Sequence, residues 1–315
     1  MAGADVAAAK QAGSLNCSCA VIGEPGTYYD IIEPAGGTDR PPIVLIHGGA
    51  HTGACYLVTA DGRPGWAQRF AARGYKVVVP DWPGCGRSGR IPYDKLDGAT
   101  VCEGLGRVIA SLGRPAVVLT HSIAGGYSWP LLDRFGDHIS KVIAVAPGPP
   151  GNMQPVPEIL AETEETIEVR AVAGGTRFTI NKTEPVAVGW AMVETKLVGT
   201  SKLFPREHIG RYAASLAAVP PRLMYERLNI QGSQLKIRDM ACLTGRRVMI
   251  LTPTDDIDHP AELDRSIADW LNEAGALADF VYLGDRGIHG NGHMLMLERN
   301  SDQLADLIAE WIEGP

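Results

Sequence analysis

The sequence contains no block of basic residues. Its 29 Lys and Arg are outnumbered by 36 Asp and Glu, for a formal charge of -7. Nucleic-acid binding needs a concentrated positive surface, and so does docking on an anionic membrane, so neither partner class has support. No uninterrupted apolar run approaches the ~20 residues that span a bilayer. The opening MAGADVAAAKQAG lacks the charged start and long apolar stretch of a secretory leader. Paired-cysteine motifs are also missing. Cys17, Cys19, Cys55, Cys85, Cys102 and Cys242 are scattered, and the one close pair is C-x-C, too short for a C-x-x-C redox or zinc knuckle. Free thiols in a reducing cytosol are therefore expected, and with them a cytoplasmic protein. A homo-oligomer is neither indicated nor excluded.

What is present is a chain of 315 residues, 45% hydrophobic and 21% charged. That suits one soluble α/β domain carrying an insertion. Six short runs are β-branched and almost continuously apolar: PPIVLIH (41–47), YKVVVPD (75–81), PAVVLT (115–120), KVIAVAP (141–147), RRVMILT (246–252) and ADFVYL (278–283). Strands covered on both faces read this way. Between them lie helical patterns at 65–74, 99–113 and 261–275, each ending near a glycine suited to a C-cap. A final helix over 301–314 starts at Ser301 as N-cap, with Leu304, Leu307, Ile308 and Trp311 on one face. The alternation predicts a mostly parallel sheet flanked by helices. CAVIG (19–23) and TYYDIIE (27–33) predict an antiparallel hairpin at one edge. The pattern breaks between about Gly151 and Leu243, where helical stretches are expected around Trp190 and Tyr212. The core then comprises 1–150 and 244–315, and 151–243 is an inserted cap or lid.

Four loops carry chemistry. In LTHSIAGG (119–126) Ser122 sits where a strand turns into a helix. A tight turn there lifts the hydroxyl above the sheet and points a helix N-terminus at developing negative charge. The residues two before and two after the serine must be small. Ala124 meets that demand; Thr120, β-branched, fits only as the extended last residue of the strand. In LIHGGAHTGACY (45–56) a glycine-rich turn exposes backbone N–H groups. Gly49 N–H and Ile123 N–H together would make an oxyanion hole. His47 is expected beneath this loop, and His51 either faces substrate or is a polar loop residue. ILTPTDDIDHP (250–260) offers Asp255, Asp256 and Asp258 as the carboxylate that orients a histidine. GIHGNGHMLMLERN (287–300) offers His293 as base, with His289 lining the pocket or capping the turn. The order Ser, Asp, His, each after a strand, is the Ser…Asp/Glu…His order of α/β-hydrolases.

Over most of its length the chain resembles the α/β-hydrolase superfamily. HGGAHTGACYLVTADGRPGWAQRFAARGYKVVVPDWPGCGRSG and GIHGNGHMLMLERNSDQLADLIAEWI are similar to a small group of bacterial serine esterases with an HG-x-x-x-TG loop, a DGR-x-GW segment and a D-x-x-G-x-GRS segment. The resemblance implies Ser122 as nucleophile, His293 as base, a carboxylester-type small-molecule substrate, no metal and no organic cofactor. Two departures stand out. The elbow lacks both flanking glycines. Where some of the group carry the acid, after the strand following the nucleophile helix, this chain has Ala146. Aligning PTDD with the usual G-x-x-D selects Asp256, ahead of Asp258 and Asp255.

The leading reading is a serine hydrolase cleaving an ester, lactone or amide through an acyl-enzyme. A carbon–carbon bond hydrolase or an acyltransferase would use the same triad. A non-catalytic receptor keeping the hydrolase pocket is the alternative from another class. A dehalogenase or epoxide hydrolase would want a carboxylate at the elbow, which Ser122 argues against. The insertion supplies Trp190, Phe204, Tyr212, Met224 and Tyr225 as pocket-lining candidates, with Arg177, Lys202, Arg206 and Arg222 as candidates to meet a substrate carboxylate.

Overall fold

The computed structural model describes residues 14–172 and 175–314. The opening segment 1–13, which does not read as a secretory leader, lies outside the described residues. Eight strands form one sheet in the order β1-β2-β4-β3-β5-β6-β10-β11. They are β1 (Leu15–Ile22), β2 (Thr27–Pro34), β3 (Ile43–Ile46), β4 (Val77–Pro80), β5 (Ala116–His121), β6 (Ile139–Val145), β10 (Arg247–Thr252) and β11 (Leu277–Tyr282). All pairs from β4 onward are parallel; β1 and β2 run antiparallel. The edge hairpin starts at Leu15, several residues before the CAVIG segment, because β1 is largely exposed and its alternation is weak.

The central strands β3, β4 and β5 are buried at every residue, which accounts for their unbroken apolarity. Helices cover both faces: α1 (Trp66–Ala72), α2 (Gly98–Ala110), α3 (Gly125–Phe135), α6 (Ala261–Glu273) and α7 (Ser301–Glu313), with α4 (Ile209–Ala214) and α5 (Pro221–Arg227) in the inserted segment. Gly74 and Gly275 follow their helices at φ 92° each, a left-handed exit that glycine makes without a Cβ clash. Helix α7 has Asn300 in the N-cap position rather than Ser301. Ser301 is buried instead, and its carbonyl accepts from Trp66 Nε1 at 2.9 Å.

The segment between β6 and β10 is helical at Trp190 and Tyr212 as expected, and it also holds an unanticipated three-stranded antiparallel sheet. It is built from β7 (Glu158–Glu162), β8 (Thr166–Arg170) and β9 (Arg177–Asn181). Charged residues alternate with Ile167, Val169 and Ile180, which bury one face against Ile230. Among the described residues no helix is long and apolar enough to cross a membrane. All six cysteines are free thiols, Cys17 and Cys19 exposed on β1.

Candidate active site

Strand β5 ends at His121, and the chain turns sharply at Ser122, whose φ is 55°. A non-glycine residue there stores about 1–3 kcal/mol of strain. Thr120 lies inside the strand, fully buried, with Oγ1 2.8 Å from Ser128 Oγ. Its branched side chain thus sits in an extended backbone and meets a partner on the following helix. The crowding that usually calls for glycine falls one residue later. A Cβ on Gly125 would lie 2.4 Å from Pro147 Cβ and 2.8 Å from Gly148 N, and Gly148 N–H donates to the Ser122 carbonyl at 2.8 Å.

Ser122 Oγ lies 2.9 Å from His293 Nε2, and His293 Nδ1 lies 2.6 Å from Asp256 Oδ2. Since the carboxylate accepts, Nδ1 carries the proton and Nε2 faces the serine as acceptor. Asp256 follows β10 and His293 lies beyond β11, so the parallel sheet delivers all three side chains to the carboxyl ends of its strands. Asp256 Oδ1 accepts from Asp258 N–H at 3.0 Å. Burial favours the neutral acid, but His293 and this N–H outweigh it and hold the carboxyl well below the usual carboxylate range. Its neighbours face elsewhere. Asp255 accepts from Gly290 N–H and lies near Lys202, whereas Asp258 pairs with Lys196 at 2.5 Å.

Gly49 and Ile123 line the cavity beside Ser122, and among the described residues their N–H groups donate to no acceptor. The glycine loop is held from below. His47 Nε2 accepts from Trp82 N–H, and its Nδ1 donates to the Gly48 carbonyl at 2.8 Å. Burial lowers its pKa to about 4, so it stays neutral. His51 is not on the cavity wall. It is buried behind the loop, bridging the Gly49 carbonyl (2.7 Å) and Tyr212 hydroxyl (2.9 Å), and burial lowers its pKa to about 3.

Three residues that the motifs did not single out complete the surroundings. His121, fully buried, donates Nε2–H to the His293 carbonyl at 2.8 Å, and burial holds its pKa well below the ordinary value. Its identity was on view in the elbow, but its partner lies across the sheet. His259, in the quoted acid loop, stacks on His293 with ring centroids 5.4 Å apart. Its Nδ1 lies 3.1 Å from Asp264 Oδ1. Burial opposes its charged form, but Asp264 prevails and raises its pKa. Glu298, fully buried, accepts from Ser201 Oγ (2.5 Å), Asn291 Nδ2 (2.5 Å) and Gly292 N–H (2.8 Å). It ties the histidine loop to the inserted segment. Asp256, His259 and His293 offer ligand atoms within 4.8 Å of one another. The mutual hydrogen bond of Asp256 and His293 already occupies their facing atoms.

The cavity above Ser122 has a volume of about 310 Å³. Its inner wall comes from the core, its outer wall from the insertion, including Val169, Phe178, Met192, Val219 and Met224. Six residues expected at the pocket are elsewhere: His51 as described, and Trp190, Phe204, Tyr212, Tyr225 and His289. Trp190 is half exposed, and His289 is exposed on its turn. Tyr225 packs against the small sheet's apolar face. Phe204 and Tyr212 belong to the main core. Arg177, Lys202 and Arg222 pair with Glu168, Asp255 and Glu226, and Arg206 binds the Gly199 carbonyl.

Residues 43–307 match the model of the Alpha/beta hydrolase family. The chain belongs to this family. A curated relative, Probable secreted lipase phiG of Fungal sp. (strain ATCC 74256), is 26% identical over 91% of this chain and 85% of its own. Its name places that relative outside the cell, so the likeness lends nothing to a cytoplasmic location. Among solved structures, a novel bacterial esterase superposes with a TM-score of 0.58 at 17% identity, covering 95% of each chain. An epoxide hydrolase from Vigna radiata superposes with a TM-score of 0.61 at 15% identity, covering 94% of this chain and 98% of its own. Likeness at this level identifies the fold and leaves the chemistry to the residues.

Proposed function

We propose that the protein is a serine hydrolase that cleaves a carboxylic ester through an acyl-enzyme. The observation that carries this reading is the hydrogen-bonded chain from Ser122 through His293 to Asp256 at a positive-φ elbow. A serine hydroxyl becomes a competent nucleophile when a base takes its proton. In this reading Ser122 Oγ bonds to the ester carbonyl carbon while its proton passes to His293 Nε2. The carbonyl π pair moves onto oxygen, and Gly49 and Ile123 N–H groups hold the oxyanion. Collapse breaks the bond to the alcohol oxygen, which leaves with the proton from His293. Water then gives a proton to Nε2 and attacks the acyl carbon. The second collapse releases the acid and returns the proton to Ser122. Asp256 stays ionised throughout and stabilises the imidazolium. The insertion acts as a cap that keeps the acyl group in an apolar enclosure.

A panel of acyl-chain and aryl esters, run on wild type and Ser122→Ala, tests the reading. Turnover by wild type and loss in the variant are expected. Undiminished turnover by Ser122→Ala would overturn it.

A further inference from the structure

Arg227 closes α5 and lines the same cavity as Ser122 and His293. Its carbonyl accepts from Gln154, but among the described residues its guanidinium has neither a hydrogen-bond nor an ion-pair partner. It shares the cavity lining with Lys196, Asp258 and His259. The nearby carboxylates are engaged. Asp258 pairs with Lys196 at 2.5 Å; Asp264 accepts from Thr252 Oγ1 at 2.8 Å and faces His259. Lys196, Arg227 and Asp258 thus leave this wall one cation in excess, before His259 is counted.

The rest of the enclosure is mostly apolar. A partly buried guanidinium there has lost much of its hydration without gaining a counter-ion, which is costly. Burial accordingly pulls its pKa below the ordinary guanidinium value, opposed by Asp258. A planar fork of N–H donors in such a place matches a carboxylate in two parallel hydrogen bonds.

We propose that Arg227 recognises a carboxylate on the substrate, remote from the scissile ester, so that the preferred substrates are esters carrying a free carboxylate at their far end. The proposal rests on the esterase reading for its catalytic consequence, but its binding consequence is separate. Two measurements keep them apart.

The first uses matched p-nitrophenyl esters, the mono-p-nitrophenyl ester of adipic acid against p-nitrophenyl hexanoate. Wild type should show higher kcat/KM for the charged ester, and Arg227→Met should lower the charged-to-neutral ratio at least tenfold. Arg222→Met, on the outer side of the same helix, controls for net charge and should keep the wild-type ratio. A parallel fall for both esters in Arg227→Met, leaving the ratio intact, would give Arg227 a merely structural role and overturn the proposal.

The second is calorimetric binding of monomethyl adipate and dimethyl adipate to the Ser122→Ala protein, with and without Arg227→Met. Tighter binding of the charged ligand, abolished by Arg227→Met, supports the proposal even if no ester is turned over. Equal binding of the two ligands, or a preference that survives in Arg227→Met, refutes it. Failure of the esterase reading would appear separately, as absent or Ser122-independent turnover of both esters.

Discussion

Replacing Asp256 by asparagine should abolish nearly all catalysis while the same change at Asp255 or Asp258 should not. Asp256 Oδ2 sits 2.6 Å from His293 Nδ1, and the side chain is almost fully enclosed. Asparagine fills the same space, yet its NH₂ facing Nδ1 would favour the tautomer with the proton on Nε2. That nitrogen could then no longer accept from Ser122. Loss of the carboxylate in this arrangement costs ~10,000-fold in kcat, or about 5.4 kcal/mol at about 1.36 kcal/mol per tenfold. Asp255 and Asp258 pair with partly exposed lysines, so their asparagine variants should keep kcat within about tenfold of wild type. Steady-state hydrolysis of a p-nitrophenyl ester at neutral pH measures all three. An Asp256→Asn enzyme within tenfold of wild type, or an equal collapse in all three variants, would refute the reasoning. The same carboxyl predicts a stability signature. Its folded pKa lies below the unfolded value near 3.9. The stability it contributes is therefore complete above about pH 4 and lost as pH falls toward the folded pKa. The stability gap between wild type and Asp256→Asn, from urea midpoints, should narrow between pH 7 and pH 3; a constant gap would contradict the linkage.

Two further predictions concern the backbone that carries the site. Gly125→Ala places a Cβ against the Pro147 backbone and should destabilise by about 1–3 kcal/mol and impair turnover, whereas Gly126→Ala meets the tip of Gln234 at 3.2 Å and the Pro149 carbonyl at an ordinary 3.9 Å and should be neutral or stabilising by up to about 1 kcal/mol; equal urea midpoints for the two variants would contradict the close approach. His51→Leu frees the Gly49 carbonyl and should lower kcat about tenfold with KM little changed, less than the ~100-fold for deleting an oxyanion donor; a rise in KM alone would return His51 to the substrate side.

The sheet was legible because its central strands are buried on both faces and so consist of unbroken β-branched runs. The elbow was legible only through its company, since Thr120 and Ala124 replace the usual glycines. The small sheet was obscured because it packs on one face only, and charged residues interrupt the apolar positions along its strands. His121, His259 and Glu298 stood within quoted motifs, but their partners lie on distant segments, and residue type alone does not reveal a partner. The pocket was least legible. Trp190 and Tyr225 attract attention by size, yet the orientation of each short helix in the insertion decides which side chains face the cavity, and it turns Arg227 inward beside the expected Met224.

The central claim is that Ser122 is an activated nucleophile. Intact-mass analysis after incubation with a fluorophosphonate at neutral pH tests it most directly. Wild type should gain a single adduct that maps to Ser122, and Ser122→Ala should gain none. Folded wild type that stays unlabelled, or an adduct that persists in Ser122→Ala, would contradict the account.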